Sequence, residues 1–344
     1  MSMLFFLGVD VSKGSLAVTL IDQNEKVLWS NKSTPNTVSG FEKLTEQAFK
    51  HASKKSDGQD FTIHLAMEST GVYGEQLAYF IHDRNPKGCF VPYVLNPMAV
   101  RAYAKASMEL NKNDATDARV IASYLSVAVA KERVQPWVAP PEEERHLRAL
   151  SRRRSELVQL LTSEKNRLEK LENMSHPSEE VIKSVKEHIQ YLDEAIEALE
   201  KDISEHISNY PKLKENDELL QSIPGVGKVT SIILQGEVGD LSQFSTVKQF
   251  TSFVGLVPME YSSGSSIWKR PRISKRGNSR IRQCLYMGAM VAVRINPVIR
   301  RFYEHLLSQS KCKKVALIAC MRKMLHLIWG VLKHQSLFDP QYAN

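Results

Sequence analysis

The spacing of apolar and polar positions changes character twice along the 344-residue chain. Leu4–Val9 is a continuous apolar run, Ser15–Ile21 alternates beside it across a Ser12-Lys13-Gly14 turn, and Lys26–Ser30 follows Asp22-Gln23-Asn24. Together these segments predict a three-stranded meander. Val38–His51 has helical spacing, Phe61–Met67 reads as a buried strand, Tyr73–His82 as a helix and Phe90–Leu95 as a further strand. After Asn113, which suits a helix N-cap, a helical pattern runs through Asp117, Val120, Ile121 and Tyr124 to about Ala130. The order βββαβαβα predicts a mixed α/β domain. Its end falls near residue 138, in the proline-rich stretch 134–141.

From Glu142 the pattern becomes heptad-like. Leu147, Leu150, Arg154, Leu157, Leu161, Glu164, Leu168 and Leu171 step alternately by three and four, with Arg154 and Glu164 as polar intrusions. After a break at Ser175-His176-Pro177, Val185, Ile189, Leu192, Ile196, Leu199 and Ile203 resume the same rhythm. Two long helices are expected over 139–210, forming either an antiparallel hairpin or an oligomerising coiled coil. The remainder, 211–344, reads as mostly α-helical with short loops.

Charge sharpens this division. Lys and Arg number 46 against 38 Asp and Glu. Nine of the basic residues, among them Lys269, Arg270, Arg272, Lys275, Arg276 and Arg280, lie in the window 261–300, which contains no acid. Unbalanced charge costs self-repulsion that phosphate contact relieves, and Trp268 and Tyr286 flank the densest part with rings able to stack on bases. The alternative is a plain solvated face. Cys89, Cys284, Cys312 and Cys320 show no CxxC spacing, so reduced thiols in a cytosolic protein are expected, without a zinc site. Asp10 interrupts the first apolar run, which has no basic segment before it, so a strand is expected there rather than a leader. No stretch reads as the roughly 18 uncharged apolar residues of a spanning helix, and no membrane partner is expected.

Four acids stand out by position. Asp10 ends the first strand, Glu68 ends the strand over 61–67, and Asp114 and Asp117 share a face at the start of the following helix. Carboxylates from two strand ends and one helix face are the donor set that a pair of Mg²⁺ ions needs for phosphoryl transfer. In Pro224-Gly225-Val226-Gly227, between two helical patterns, the glycines Gly225 and Gly227 suit a helix-hairpin-helix turn whose N–H groups hold a DNA phosphate; a packing corner is the alternative. A P-loop is excluded, because Ser222 stands where its first glycine belongs and Val229 follows Lys228.

Gly-Val-Asp-Val-Ser-Lys at 8–13, Glu-Ser-Thr-Gly-Val-Tyr at 68–73 and Asn-Asp-Ala-Thr-Asp-Ala at 113–118 resemble the DEDD motif of the IS110/IS1111 family of insertion-sequence transposases. Lys-Asn-Asp replaces the family's usual Lys-Thr-Asp. Phe253-Val254-Gly255-Leu256-Val257-Pro258, Tyr261-Ser262-Ser263-Gly264 and Ile273-Ser274-Lys275-Arg276-Gly277-Asn278 resemble its second domain. The resemblance implies a RuvC-like domain of the ribonuclease H fold over 1–138, a coiled-coil arm over 139–210, and a serine-bearing helical domain over 211–344. It implies that Ser263 is the nucleophile, with Ser262 the neighbouring alternative, in Mg²⁺-dependent transesterification of donor and target DNA. It further implies a noncoding guide RNA, and a homo-oligomer, dimer or tetramer, in which the carboxylates of one protomer meet the serine of another. The expected location is the cytoplasm, at the nucleoid. On its own chemistry a serine hydroxyl is a poor nucleophile without a base or cation, and the motif has no histidine. A RuvC-like endonuclease that uses water, the serine loop being only a contact, is therefore the alternative.

Overall fold

The computed structural model describes residues 2–69, 71, 73–108, 114–263, 267–274 and 276–341, and their side chains apart from those of 86, 114, 115, 242 and 260–272. The chain divides into two compact units, Met1–Ala139 and Pro140–Asn344.

In the first unit β1 (Met3–Val11), β2 (Ser15–Ile21) and β3 (Val27–Pro35) form the expected meander, followed by α1 (Val38–Ser56), β4 (Phe61–Glu68), α2 (Glu75–Arg84), β5 (Phe90–Leu95), α3 (Pro97–Ala106) and α4 (Asp114–Ala130). The sheet order is β3-β2-β1-β4-β5. β1 pairs antiparallel with β2 and parallel with β4, which pairs parallel with β5. The central strands are apolar on both faces because both are covered. Phe5, Leu7, Val9, Ile63 and Leu65 pack with Phe41 and Leu44 of α1 and Leu77 and Ile81 of α2. Phe6, Ala66 and Tyr93, on the opposite face, pack with Val120, Ile121 and Leu125 of α4. The helix α3 is absent from the sequence reading, although its start signal is present: Pro97 occupies the first turn and Asn96 caps it by accepting from the Met98 N–H at 2.9 Å.

The second unit begins with α5 (Glu142–Glu172) and α6 (Glu179–Asn209), which pack on each other as an antiparallel hairpin. Cross-helix pairs run in opposite order, Arg154 with Glu200 and Lys186 with Glu172. Both polar intrusions in the heptads are answered across the seam. The Arg154 Nε donates to Glu200 at 2.7 Å, and the buried Glu164 lies 3.6 Å from His188 and 3.0 Å from Arg167. The root of the hairpin joins α7 (Pro211–Gln221) and α8 (Lys228–Val238) through Leu147, Ile203, Ile207, Leu213 and Ile232.

Beyond them come α9 (Val247–Val254), β6 (Pro258–Ser263), β7 (Ile267–Ile273), α10 (Ser279–Ile295), α11 (Pro297–Ser308) and α12 (Lys313–His334). Two features differ from the sequence reading. The hairpin β6–β7 interrupts a region expected to be helical throughout. And α12 is long and apolar enough, by composition, to cross a membrane. It is the core helix of this unit instead, with Cys320, Met321, Met324, Leu325 and Ile328 buried against α10 and its neighbours.

Candidate functional site

Strand register brings the first two acids together. Gly8 pairs with Ala66 and Val9 with Met67, so Asp10 and Glu68 are the next residues of two adjacent parallel strands. Side chains alternate across a sheet, so both belong to the face that carries Phe6, Gly8 and Ala66, the face covered by α4. Gly8 permits the contact. A Cβ there would stand 2.5 Å from the Ala122 nitrogen and closer still to the Ala118 carbonyl oxygen, so only glycine lets the backbone of α4 rest on β1. The first turn of α4, with Asp114 and Asp117, is thereby set at the same end of the sheet. Asp114 begins the helix, and its side chain lies outside the described residues.

The electrostatics agree with this placement. The Glu68 carboxyl is pushed above its ordinary range, first by burial and then by the charges of Asp10 and Asp117, against the pull of Arg101. Among the described residues no three His, Cys, Asp or Glu side chains stand close enough to share a metal. Asp10, Glu68 and Asp117 are each half-buried, and the charges of Asp10 and Asp117 both reach Glu68. Oxygen-only donors under mutual repulsion are the chemistry that a hard divalent cation suits.

Two contributors here were not found in the sequence. Arg101, on α3, supplies the positive charge near Glu68. Asn36 ties both motif loops together, its Nδ2 donating to the Ser12 carbonyl at 3.0 Å and to the Tyr73 carbonyl at 3.2 Å. The proline-capped start of α3 is a signal that would have placed Arg101 on a helix after β5. No spacing rule points to Asn36.

Ser262 and Ser263 occupy the last two positions of β6, opposite Trp268 and Ile267. Lys269 and Arg272 pair with Tyr261 and Met259 on the returning strand. The side chains of Ser263, Lys269, Arg270 and Arg272 lie outside the described residues, as does Lys275 altogether. The base of the hairpin is well defined. The Ser274 N–H donates to the Val257 carbonyl at 2.9 Å, and Arg282 Nη1 donates to the carbonyls of Val254 at 2.8 Å and Gly277 at 2.9 Å.

The basic window is thus less uniform than its sequence. Arg276 is exposed, Arg282 is committed to backbone carbonyls, and Arg280 stands 3.8 Å from the buried carboxylate of Glu237, an acid 24 residues before the window's first residue. The two glycines of the turn between α7 and α8 also part ways. Gly225 has φ +102°, and a Cβ there would come within 2.5 Å of the Ala292 side chain on α10, so this residue is packed into the core. Gly227 is exposed at the N-cap of α8, while Lys228 donates to Ser204 on α6 at 2.8 Å.

A profile described as a DEDD transposase matches residues 7–177, and one described as the transposase IS116/IS110/IS902 family matches residues 217–304. The four acids fall in the first match; the turn glycines, Ser263 and the basic residues fall in the second. The chain is 31% identical to the pilin gene-inverting protein of Moraxella bovis over 98% of both sequences. It is 25% identical to the transposase of insertion sequence IS1111A from Coxiella burnetii, over 96% of this chain and 90% of that protein. Two profiles in the expected order and a relative matched from end to end establish that the chain belongs to the IS110/IS1111 family of insertion-sequence transposases.

Proposed function

We propose that this transposase exchanges DNA strands through a serine-linked intermediate, with Asp10, Glu68, Asp114 and Asp117 as one half of the machinery and Ser263 as the other. The observation that carries the reading is the strand register that makes Asp10 and Glu68 neighbours at the end of a sheet of mixed strand direction, with Asp117 near enough for its charge to raise the Glu68 carboxyl. The order of strands and helices in the first unit supports a ribonuclease H-like domain. The paired 31-residue helices support a coiled-coil arm used in assembly of a homo-oligomer.

In this reading the four carboxylates would hold Mg²⁺, which would supply positive charge at the scissile phosphate. The Ser263 Oγ attacks the phosphorus, forming one P–O bond as the bond to a bridging sugar oxygen breaks. The serine proton is given up and the departing oxygen gains one. The same step in reverse, with the hydroxyl of another strand as the attacking group, rejoins DNA and frees the serine, so bond count is conserved without external energy. Full-length similarity to a pilin gene-inverting protein supports strand exchange over simple hydrolysis. Exposed Arg276, the β7 cations and the α8 N-terminus at Gly227 contact phosphates, a noncoding guide RNA from the element selects donor and target, and the protein works at the nucleoid.

A strand-exchange assay on supercoiled donor and target tests this. Asp10→Asn and Ser263→Ala should each abolish exchange while nucleic-acid binding persists. Cleavage by Ser263→Ala at the wild-type rate would replace the reading with that of a water-using endonuclease.

A further inference from the structure

Glu237, at the end of α8, is an acid with no place in the chemistry above, and its side chain is 4% exposed. Arg152 of α5 grips it with two prongs, Nε to Oε1 at 2.8 Å and Nη2 to Oε2 at 3.0 Å. Asn278 Nδ2 donates to Oε2 at 2.8 Å. Burial would raise the Glu237 carboxyl, but hydrogen bonds from Arg152 and Asn278 and the charges of Arg152 and Arg148 hold it below its ordinary range. The group is therefore an anion at neutral pH.

Each partner of Glu237 leads somewhere. Arg152 belongs to the arm, and one turn earlier Arg148 Nε donates to the Gly236 carbonyl at 2.6 Å, so α5 is fastened to the end of α8 twice. Asn278 caps α10, its Oδ1 accepting from the N–H groups of Arg280 at 3.0 Å and Ile281 at 3.2 Å. Its own N–H donates to the Phe253 carbonyl at 2.9 Å. Asn278 thus stands where the chain leaving β7 meets the end of α9, just before β6 begins. Burying the Glu237 carboxylate costs desolvation that an apolar side chain of equal volume would not, and what its forked pairing with the half-exposed Arg152 supplies in exchange is direction.

We propose that Glu237 is a positioning residue: the chain Arg152–Glu237–Asn278 ties the arm helix α5 to the base of the hairpin that carries Ser263, so that the seating of the arm sets the seating of the serine. Glu237 touches no DNA in this scheme and acts through Asn278, and through Arg280 at 3.8 Å. The inference rests on Ser263 as the nucleophile, and it gives the arm a second task beside assembly. A change in the arm has a polar route toward the serine through three side chains, alongside the apolar packing of α8.

The test uses full-length protein and a nicked DNA substrate that traps the covalent complex. Four quantities are compared for wild type, Arg152→Ala, Arg152→Lys and Glu237→Gln: the single-turnover rate of adduct formation, DNA affinity, thermal unfolding, and amide hydrogen exchange. Arg152→Ala should slow adduct formation about tenfold or more, since a displacement of about 1 Å far from the chemistry can cost up to about a hundredfold. DNA affinity should stay unchanged. Exchange should quicken at 253–258 and 274–281 but not in the outer arm. Arg152→Lys keeps charge and stem but has no fork, so it should restore the melting temperature without restoring the rate. Arg152 is half exposed, so these variants carry the test even if Glu237→Gln fails to fold. Wild-type rate and exchange in Arg152→Ala would overturn the proposal, as would recovery of the rate by lysine in step with stability. Absence of an adduct in wild type would instead count against the serine reading, and hydrogen exchange would then decide the tie alone.

Discussion

The carboxylate rim and the serine hairpin are held in place by different means. At the rim, Asp10 and Glu68 are carried by adjacent central strands whose register and burial on both faces leave one arrangement, and Gly8 lets α4 come close enough to add Asp117. The hairpin β6–β7 has only two strands, joined to the body at its base by Ile273 against the core and by Asn278 and Arg282. Two-stranded ribbons draw little stability from themselves. In the proposed mechanism one half of the machinery is therefore built into a core, and the other stands on a few polar ties, those of Arg282 and Asn278 among them, that can be altered one at a time.

The largest effects should come from the rim. If the proposed metal role holds, Asp10→Asn and Asp117→Asn remove carboxylate charge at nearly constant shape, so strand exchange should fall to background while nucleic-acid binding persists and Glu68 is relieved of repulsion. Exchange at wild-type rate in excess EDTA would break this side of the comparison. Gly8→Ala comes next. The new methyl meets backbone of α4, so the first unit should lose about 1–3 kcal/mol or more in denaturant unfolding, and activity should fall as Asp117 is moved away from Glu68. Stability like that of wild type would mean that α4 does not rest on β1.

What the sequence made legible follows the same line. Strand alternation and an apolar run are local signals, so β1, β2, β4, β5 and the rim acids they carry were readable, as was the heptad rhythm of α5 and α6 with its two polar positions. The hairpin was not read, because its strands, Pro-Met-Glu-Tyr-Ser-Ser and Ile-Trp-Lys-Arg-Pro-Arg-Ile, are broken by polar, charged and proline positions and carry no apolar run. Nor was the division of labour within the basic window. Nine cations look alike in sequence, and only the fold reveals that Arg282 is spent on the Val254 and Gly277 carbonyls and that Glu237 balances Arg280. Similarly, nothing in Pro224-Gly225-Val226-Gly227 separates the glycine packed on α10 from the one at the surface.

In the arm, Leu192→Asp places a carboxylate without a partner in the seam between α5 and α6, where Leu192 is 1% exposed. Combined with Leu157→Asp it should shift sedimentation to a smaller species; an unchanged mass with normal helicity would mean that the arm plays no part in assembly. Smaller effects separate two arginines of the basic window. Arg276→Ala should weaken DNA binding and flatten the logarithmic salt dependence by about one unit, the signature of a lost phosphate contact. Arg282→Ala should lower the melting temperature and leave that slope intact. The reverse pattern would show that burial does not sort the cations of this window.

The measurement that bears most directly on the account is the fate of a substrate nicked so that its cleaved strand diffuses away before rejoining. With Mg²⁺, wild-type protein should accumulate in a denaturant-resistant complex, and mass spectrometry should place a nucleotide on the peptide containing Ser262 and Ser263. Ser263→Ala and Asp10→Asn should give none. An adduct on Ser262 would move the nucleophile by one residue and keep the mechanism. Cleaved DNA with free ends and no protein attached would contradict it.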